Sequence, residues 1–384
     1  MMVHRTYTPA CGYPSMKSIF DEVLSFIHNP EPAAFEEAAL RVFSYQFERV
    51  RPYRDYCLSI GVSGLTVRSL DQVSPVSTIG FKYADLSSGP AERIFLTSGT
   101  SIGRNERGRH FVPMLEIYRA SAMAHIGRML FPDKRRIPIL ALHPTADRMP
   151  ESSLGQMITW CIEDFGTGNS LCAATTGGLD IERALEFLQI AERAGESVCI
   201  LATTAACSVL FESLRSEGSP IRLPAFSRLM DTGGAKGQAK PLDAVAVSAL
   251  AAQGLGIEPH LVINEYGMTE MCSQFYDATR FNAAFDAPPG ERLKLGPPWV
   301  RARALDPVTL APVEDGTLGL LSYFDLANVG SVSALFTEDL GIVENGGIRI
   351  IGRTPLSDAR GCALGIAEFA AQNGIGSSGA ANNR

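Results

Sequence analysis

A recurrence between residues 137 and 264 constrains this chain more than any other feature. Short β-prone runs, Ile137–Leu142, Ser170–Ala173, Val198–Leu201, Arg228–Asp231 and Leu261–Asn264, return about every 30 residues, the length of a strand–helix–strand unit. Helical stretches fill the gaps: Ser153–Phe165, Asp180–Ala194, Ala205–Arg215 and Leu242–Gln253. A strand candidate at Arg93–Leu96 and a helix candidate at Met114–Leu130 extend the alternation upstream. Such spacing favours an α/β fold with a mostly parallel sheet and helices on both faces.

The flanks differ. From Pro32 to Ile60 the residues Phe35, Ala39, Phe43, Phe47 and Val50 recur at steps of three and four, which predicts a helical N-terminal part over about residues 1–70. A second helix, Ser18–Ile27, is stopped by Asn29-Pro30. From Leu295 the pattern turns β-rich, with strands at Trp299–Leu305 and Thr317–Phe324 around a turn-rich Asp306–Gly316. The expected division is a large unit over 1–350 and a short C-terminal segment over 351–384, whose Gly/Ala/Ser/Asn-rich end from Gln372 predicts disorder.

Composition removes several function classes. A formal net charge of −7 argues against nucleic acid as the main partner. The 8 cysteines form no CxxC pair, and the 6 histidines form no i,i+4 pair, so neither suggests a metal centre. Cysteines inside apolar runs, as in Ser197-Val198-Cys199-Ile200-Leu201, suit a reducing compartment. The opening Met1-Met2-Val3-His4-Arg5-Thr6 has no apolar h-region, and no run reaches membrane-spanning length. The expectation is a cytoplasmic protein with no transmembrane segment; its oligomeric state is not legible.

Four segments have the residue types that chemistry needs. Thr97-Ser98-Gly99-Thr100-Ser101-Ile102-Gly103 follows a strand and offers hydroxyl and backbone donors for a polyphosphate, without the lysine of a Walker A loop. Asp231-Thr232-Gly233-Gly234-Ala235-Lys236 lets the backbone approach a flat ligand, and reads equally as a tight turn. Asn264-Glu265-Tyr266-Gly267-Met268-Thr269-Glu270 ends a strand, where α/β sheets bind ligands; its tyrosine can stack on a base and its acid can hold Mg²⁺. Phe336-Thr337-Glu338-Asp339-Leu340-Gly341, followed by Gly352-Arg353, offers a carboxylate for ribose hydroxyls, or a solvated loop charge.

Taken in order, these segments resemble the core motifs of the adenylate-forming superfamily. Gly233-Gly234-Ala235 is similar to its adenine-side turn, Tyr266-Gly267-Met268-Thr269-Glu270 to its Tyr-Gly-x-Thr-Glu motif, and Asp339 and Arg353 to its ribose-binding Asp and the following, catalytic Arg. The ending Ser357-Asp358-Ala359-Arg360-Gly361-Cys362, together with Phe81-Lys82 and Ser273-Gln274-Phe275-Tyr276, resembles LuxE-type acyl-protein synthetases. That resemblance implies the large domain of an adenylate-forming enzyme and two half-reactions. A carboxylic acid, long-chain fatty in this family, reacts with ATP to give acyl-AMP; the acyl group then passes to a cysteine, here Cys362, for an acyl reductase partner. It implies that Thr97, Ser98, Gly99, Thr100, Ser101 and Gly103 hold phosphates, and that Gly233, Gly234, Ala235, Tyr266, Gly267, Thr269 and Asp339 hold the nucleoside. It assigns Mg²⁺ to Glu270 with Thr100.

Two departures stand out. The superfamily's C-terminal domain, with its catalytic lysine, has no counterpart in the roughly thirty residues after Arg353, and the last lysine is Lys294. Lys236 or Lys82 is the expected substitute. Arg104 follows the phosphate loop where Pro-Lys is common. Other readings are a ligase for a small aromatic or biosynthetic acid, with CoA or a carrier protein as acceptor, and a non-catalytic nucleotide-binding subunit. Residues of Leu201–Phe211 and those after Glu270 are the expected acyl-pocket lining.

Overall fold

The computed structural model describes residues 15–64, 66–97, 107–133, 135–218, 220–233, 242–278 and 292–353. Three helices open the chain: α1 Met16–His28, α2 Phe35–Arg49 and α3 Arg51–Ser59. The helical stretch expected over Pro32–Ile60 is therefore broken at Val50, where Pro52 falls in the first turn of α3. Next come strand β1 (Val76–Ser77), the single turn α4 (Gly80–Tyr83), and strands β2 (Arg93–Leu96) and β3 (Arg109–Val112).

The alternating region comprises α5 (Leu115–Leu130), β4 (Ile139–Leu142), α6 (Ser153–Phe165), β5 (Leu171–Cys172) and a small hairpin of β6 (Ala174–Thr175) and β7 (Gly178–Leu179). It continues through α7 (Ile181–Ala194), β8 (Cys199–Thr203), α8 (Thr204–Glu217), β9 (Arg228–Thr232), α9 (Ala244–Leu255) and β10 (Val262–Tyr266). Caps mark these helices: Ser152 accepts from Gly155 N, Asp180 from Arg183 N and Asp243 from Ala246 N. The last strands are β11 (Phe275–Asp277), β12 (Lys294–Leu295), β13 (Val300–Leu305), β14 (Leu318–Asp325), β15 (Ala334–Glu344) and β16 (Gly347–Arg353).

One sheet joins most of them in the order β13-β14-β15-β16-β12-β11-β10-β9-β8-β4-β5, with β1 beside β15. The run β5-β4-β8-β9-β10 is parallel; from β11 to β13 the pairs are antiparallel. Burial explains the parallel half. On β8, Cys199 and Leu201 join the core beneath α1, α2, α5 and α6, while Ile200 and Ala202 join the core beneath α7, α8 and α9. β4, β9 and β10 alternate the same way, so both sheet faces are dry and the strands read as continuous apolar runs.

Two expectations need correction. Arg93–Leu96 does not extend the parallel sheet: it pairs antiparallel with β3 in a separate two-stranded ribbon. The Phe336–Gly341 segment is not a loop but lies inside β15. Among the described residues no helix is long and apolar enough to cross a membrane.

Candidate active site

The parallel strands end in a row, and two of the singled-out segments begin there. β9 passes into Gly233, whose φ of +88° lies in the left-handed region that favours glycine. The Gly233 carbonyl accepts from Thr204 Oγ1, at the start of α8, at 2.8 Å. β10 passes into the turn Gly267–Glu270, and alternation along the strand sends Glu265 and Tyr266 to opposite faces.

Tyr266 is half-buried beside Phe275 and Tyr323, with ring centroids 6.3 and 6.2 Å away. Its hydroxyl donates to Asp339 Oδ2 at 2.7 Å. Burial first, and then the neighbouring Tyr323 and Asp339, raise the phenol well above its ordinary range, so it stays a donor. Asp339 on β15 lies directly opposite Arg353 on β16. Arg353 Nε is 3.8 Å from Asp339 Oδ1, and its other arm meets Glu338 at 3.0 Å. Residues far apart in sequence thus form one cluster. A carboxylate has about four lone-pair sites, so Asp339 keeps acceptor capacity for a ligand.

Thr97 closes the base of the β2–β3 ribbon. Its Oγ1 accepts from Gly108 N at 2.8 Å, and its carbonyl accepts from Arg107 Nε at 2.7 Å. The ribbon abuts the Thr269–Glu270 turn through His110 of β3. Thr97, Gly233, Tyr266, Gly267, Thr269, Glu270, Asp339 and Arg353 therefore all belong to the carboxyl-end rim or to elements bonded to it. Ser98, Gly99, Thr100, Ser101, Gly103, Gly234, Ala235, Lys236 and Cys362 lie outside the described residues.

Beneath the rim runs a buried polar chain that the sequence did not announce. Asp231 Oδ2 accepts from Thr204 Oγ1 at 2.9 Å and from Asn264 Nδ2 at 3.0 Å. Lys294 Nζ donates to Asn264 Oδ1 at 2.7 Å and to Asp277 Oδ1 at 2.6 Å. On the other face, Thr232 Oγ1 donates to Glu265 Oε2. A Cβ on Gly267 would overlap Glu265 Oε1, so a larger residue there would push that carboxylate out of place. Burial pushes Glu265 up to about 7 and Asp231 up to about 6, against the pull of their hydroxyl partners and of Lys294.

These shifts set the sign of a pH effect. A carboxyl whose folded value is raised holds its proton more tightly when folded. Its stabilising share is full below about 4.5, the ordinary glutamate value, and is lost as pH rises through about 7. Glu265→Gln removes this dependence. The wild-type unfolding free energy, relative to the variant, is expected to fall on the order of 2 kcal/mol between pH 4.5 and 7.5. Parallel urea-unfolding curves across that range would contradict the assignment.

The donor set fits magnesium in one way. Among the described residues no group of three or more His, Cys, Asp or Glu could cage a metal. Glu270 is a half-buried carboxylate on a turn whose carbonyl accepts from Asn328 Nδ2 at 2.9 Å. One fixed carboxylate suits a cation held mostly by phosphate oxygens and water. The expected acyl-pocket stretch Leu201–Phe211 contributes Leu210, Phe211, Ala206 and Cys207 to the core under α8, packed against protein.

Comparisons with known proteins bear on the family and the fold. A family model described as acyl-protein synthetase, LuxE, matches residues 21–370. A long-chain-fatty-acid–luciferin-component ligase of Aliivibrio fischeri is 24% identical over 372 residues, covering 91% of this chain and 94% of that protein. Its counterpart from Vibrio harveyi is 25% identical over 346 residues, covering 86% and 87%. Among solved structures, a 2-hydroxyisobutyryl-CoA ligase in its post-adenylation state superposes with a TM-score of 0.60 at 15% identity, over 85% of this chain and 71% of that one. The fold is that of adenylate-forming ligases.

Proposed function

This chain belongs to the LuxE acyl-protein synthetase family, and on that premise we propose that it joins a long-chain fatty acid to AMP from ATP and then takes the acyl group onto Cys362. It is a ligase-type enzyme that activates a carboxylic acid. The observation that carries the finer reading is the Tyr266–Asp339–Arg353 cluster at the strand ends, beside Gly233 and the Thr269–Glu270 turn.

A carboxylate is a poor electrophile because its charge repels nucleophiles. In the first step a carboxylate oxygen attacks the α-phosphorus; the bond to the β-phosphate oxygen breaks and pyrophosphate leaves. That step needs charge neutralisation and alignment more than proton transfer. Tyr266 presents its ring to adenine, and Gly233 starts the turn along the base's other side. Asp339 accepts from the ribose hydroxyls, and Arg353 holds that carboxylate in place. The loop from Thr97 to Gly103 donates to the departing phosphates. Glu270 and Thr100 would hold magnesium, which would supply Lewis-acid neutralisation of the phosphate oxygens. Lys236 offers the positive charge that the superfamily's C-terminal lysine provides elsewhere.

In the second step the Cys362 thiolate attacks the acyl carbonyl. A C–S bond forms, the bond to AMP oxygen breaks, and the thiol proton goes to solvent. Arg360 two residues away favours the thiolate. The thioester is the form an acyl reductase partner accepts.

ATP–pyrophosphate exchange with a panel of acids tests the first step. Long-chain fatty acids are expected to support exchange at least about tenfold better than benzoate or 2-hydroxyisobutyrate, a difference of at least about 1.4 kcal/mol in transition-state binding. Preference for an aryl acid would replace the substrate claim; no exchange with any acid would leave a nucleotide-binding subunit.

A further inference from the structure

The β2–β3 ribbon and the β10 turn belong to different sheets, yet in an ATP-dependent enzyme of this kind they must act on one triphosphate. Something has to fix one against the other. His110 stands at that junction. It is 1% exposed, and its ring meets Phe81 edge-on at 5.7 Å. Strand register places it opposite Phe95, two residues before Thr97. Its Nδ1 lies 2.6 Å from the Thr269 carbonyl oxygen. A carbonyl only accepts, so Nδ1 carries the proton and the bond runs from ribbon to turn. Burial keeps the ring neutral, down to about 4, so this tautomer persists across the working pH range.

The next carbonyl is held as well. Asn328 Nδ2 donates to Glu270 O at 2.9 Å. The Asn328 carbonyl in turn accepts from Gln46 Nε2 at 3.1 Å. The turn therefore has a second anchor, through Asn328 to the N-terminal helices, and Asn328 also meets the His110 ring. Loss of the His110 bond would leave Glu270 seated on the sheet while the ribbon drifted relative to it.

We propose that His110 is a positioning residue: it locks the β2–β3 ribbon, which carries Thr97, to the Thr269–Glu270 turn, so that the ribbon and the Glu270 carboxylate address the same Mg-triphosphate. This rests on the ATP-dependent function proposed for the chain. His110 itself touches neither nucleotide nor acid.

Three variants separate this from a plain packing role. His110→Asn keeps an N–H donor on the γ-carbon, where Nδ1 sits. His110→Gln moves the donor one bond further out. His110→Phe keeps a ring without a donor. ATP–pyrophosphate exchange is measured with the acid wild type prefers, and calorimetry gives the affinity for ATP with and without Mg²⁺. The Gln and Phe forms are expected to lose about 10- to 100-fold in kcat with acid KM unchanged, the scale for misplacement of about 1 Å. Their gain in ATP affinity on adding Mg²⁺ shrinks, and Asn restores most of both quantities. The inference is overturned if exchange falls equally in all three in step with Tm, or if Mg²⁺ strengthens ATP binding as much in the Phe form as in wild type. Should wild type give no exchange with any acid, the activation reading falls, and the calorimetric comparison alone decides this one.

Discussion

Lys294→Met is expected to cost about 3–5 kcal/mol of folding stability, the scale for removing one partner of a buried ion pair. Lys294 is 8% exposed, and Asp277 beside it is 1% exposed. Its ammonium has three protons, and all three are donated: to Asp277 Oδ1 at 2.6 Å, Asn264 Oδ1 at 2.7 Å and Asn264 O at 3.2 Å. Methionine fills the volume and supplies none of these. Asp277 is then left with Asn264 N at 3.1 Å and with Arg292 at 3.8 Å, which also donates to the carbonyls of Val262 and Pro259. Adding Asp277→Asn neutralises the stranded charge and is expected to recover at least about 1 kcal/mol, a coupling normal for contacting pairs. Urea unfolding followed through Trp160 and Trp299 reads both values. A loss under about 1 kcal/mol in the single variant would mean that water reaches the pair. The same bonding keeps Lys294 from standing in for the superfamily's catalytic lysine.

Cys362→Ser is expected to abolish hydroxylamine-labile acylation while ATP–pyrophosphate exchange stays within about twofold of wild type. An alcohol near neutral pH is a far weaker nucleophile than a thiolate, whereas acyl-AMP formation does not involve the sulfur. Incubation with ATP, Mg²⁺ and labelled fatty acid makes the comparison direct. Label that survives would have to sit on another thiol. The described cysteines are poor acceptors: burial pushes Cys57 up to about 11 and raises Cys161, Cys207 and Cys272 well above their ordinary range. Cys172 is half-buried, with its sulfur 3.5 Å from the His143 carbonyl, and Cys172→Ser is the matched control. Surviving label in Cys362→Ser and its loss in Cys172→Ser would reassign the acceptor.

Sequence periodicity locates whatever depends on near neighbours. Ser153–Phe165 is a helix over those same residues because its cap, Ser152, adjoins it and its apolar face lies within it. Tyr266 and Thr269-Glu270 fall at a strand end, as the β-prone run before them implies. The hidden features depend on partners distant in the chain. The Tyr266–Asp339 bond spans 73 residues, and the His110–Thr269 bond spans 159. Asp339 reads as a loop charge because its opposite, Arg353, lies on the return strand of a hairpin. Lys294, Asp277, Asp231 and Glu265 are charged types that normally face water, and no local pattern tells that the first three share one buried chain through Asn264 while Glu265 meets Thr232 on the other face. Alternation along β10 alone marks Glu265 as pointing away from Tyr266.

The pairing of Asp339 with Arg353 also fixes where the last stretch of chain begins. Arg353 sits in the cluster and Cys362 follows it by nine residues in sequence, a reach of at most about 30 Å. An acceptor on so short a leash competes by local concentration, ahead of dissolved thiols. If Cys362 takes the acyl group as proposed, it is a stoichiometric acceptor: each chain would be charged once and then stall until something discharges it. Sustained turnover would then be governed by the unloading partner, whatever the speed of adenylation.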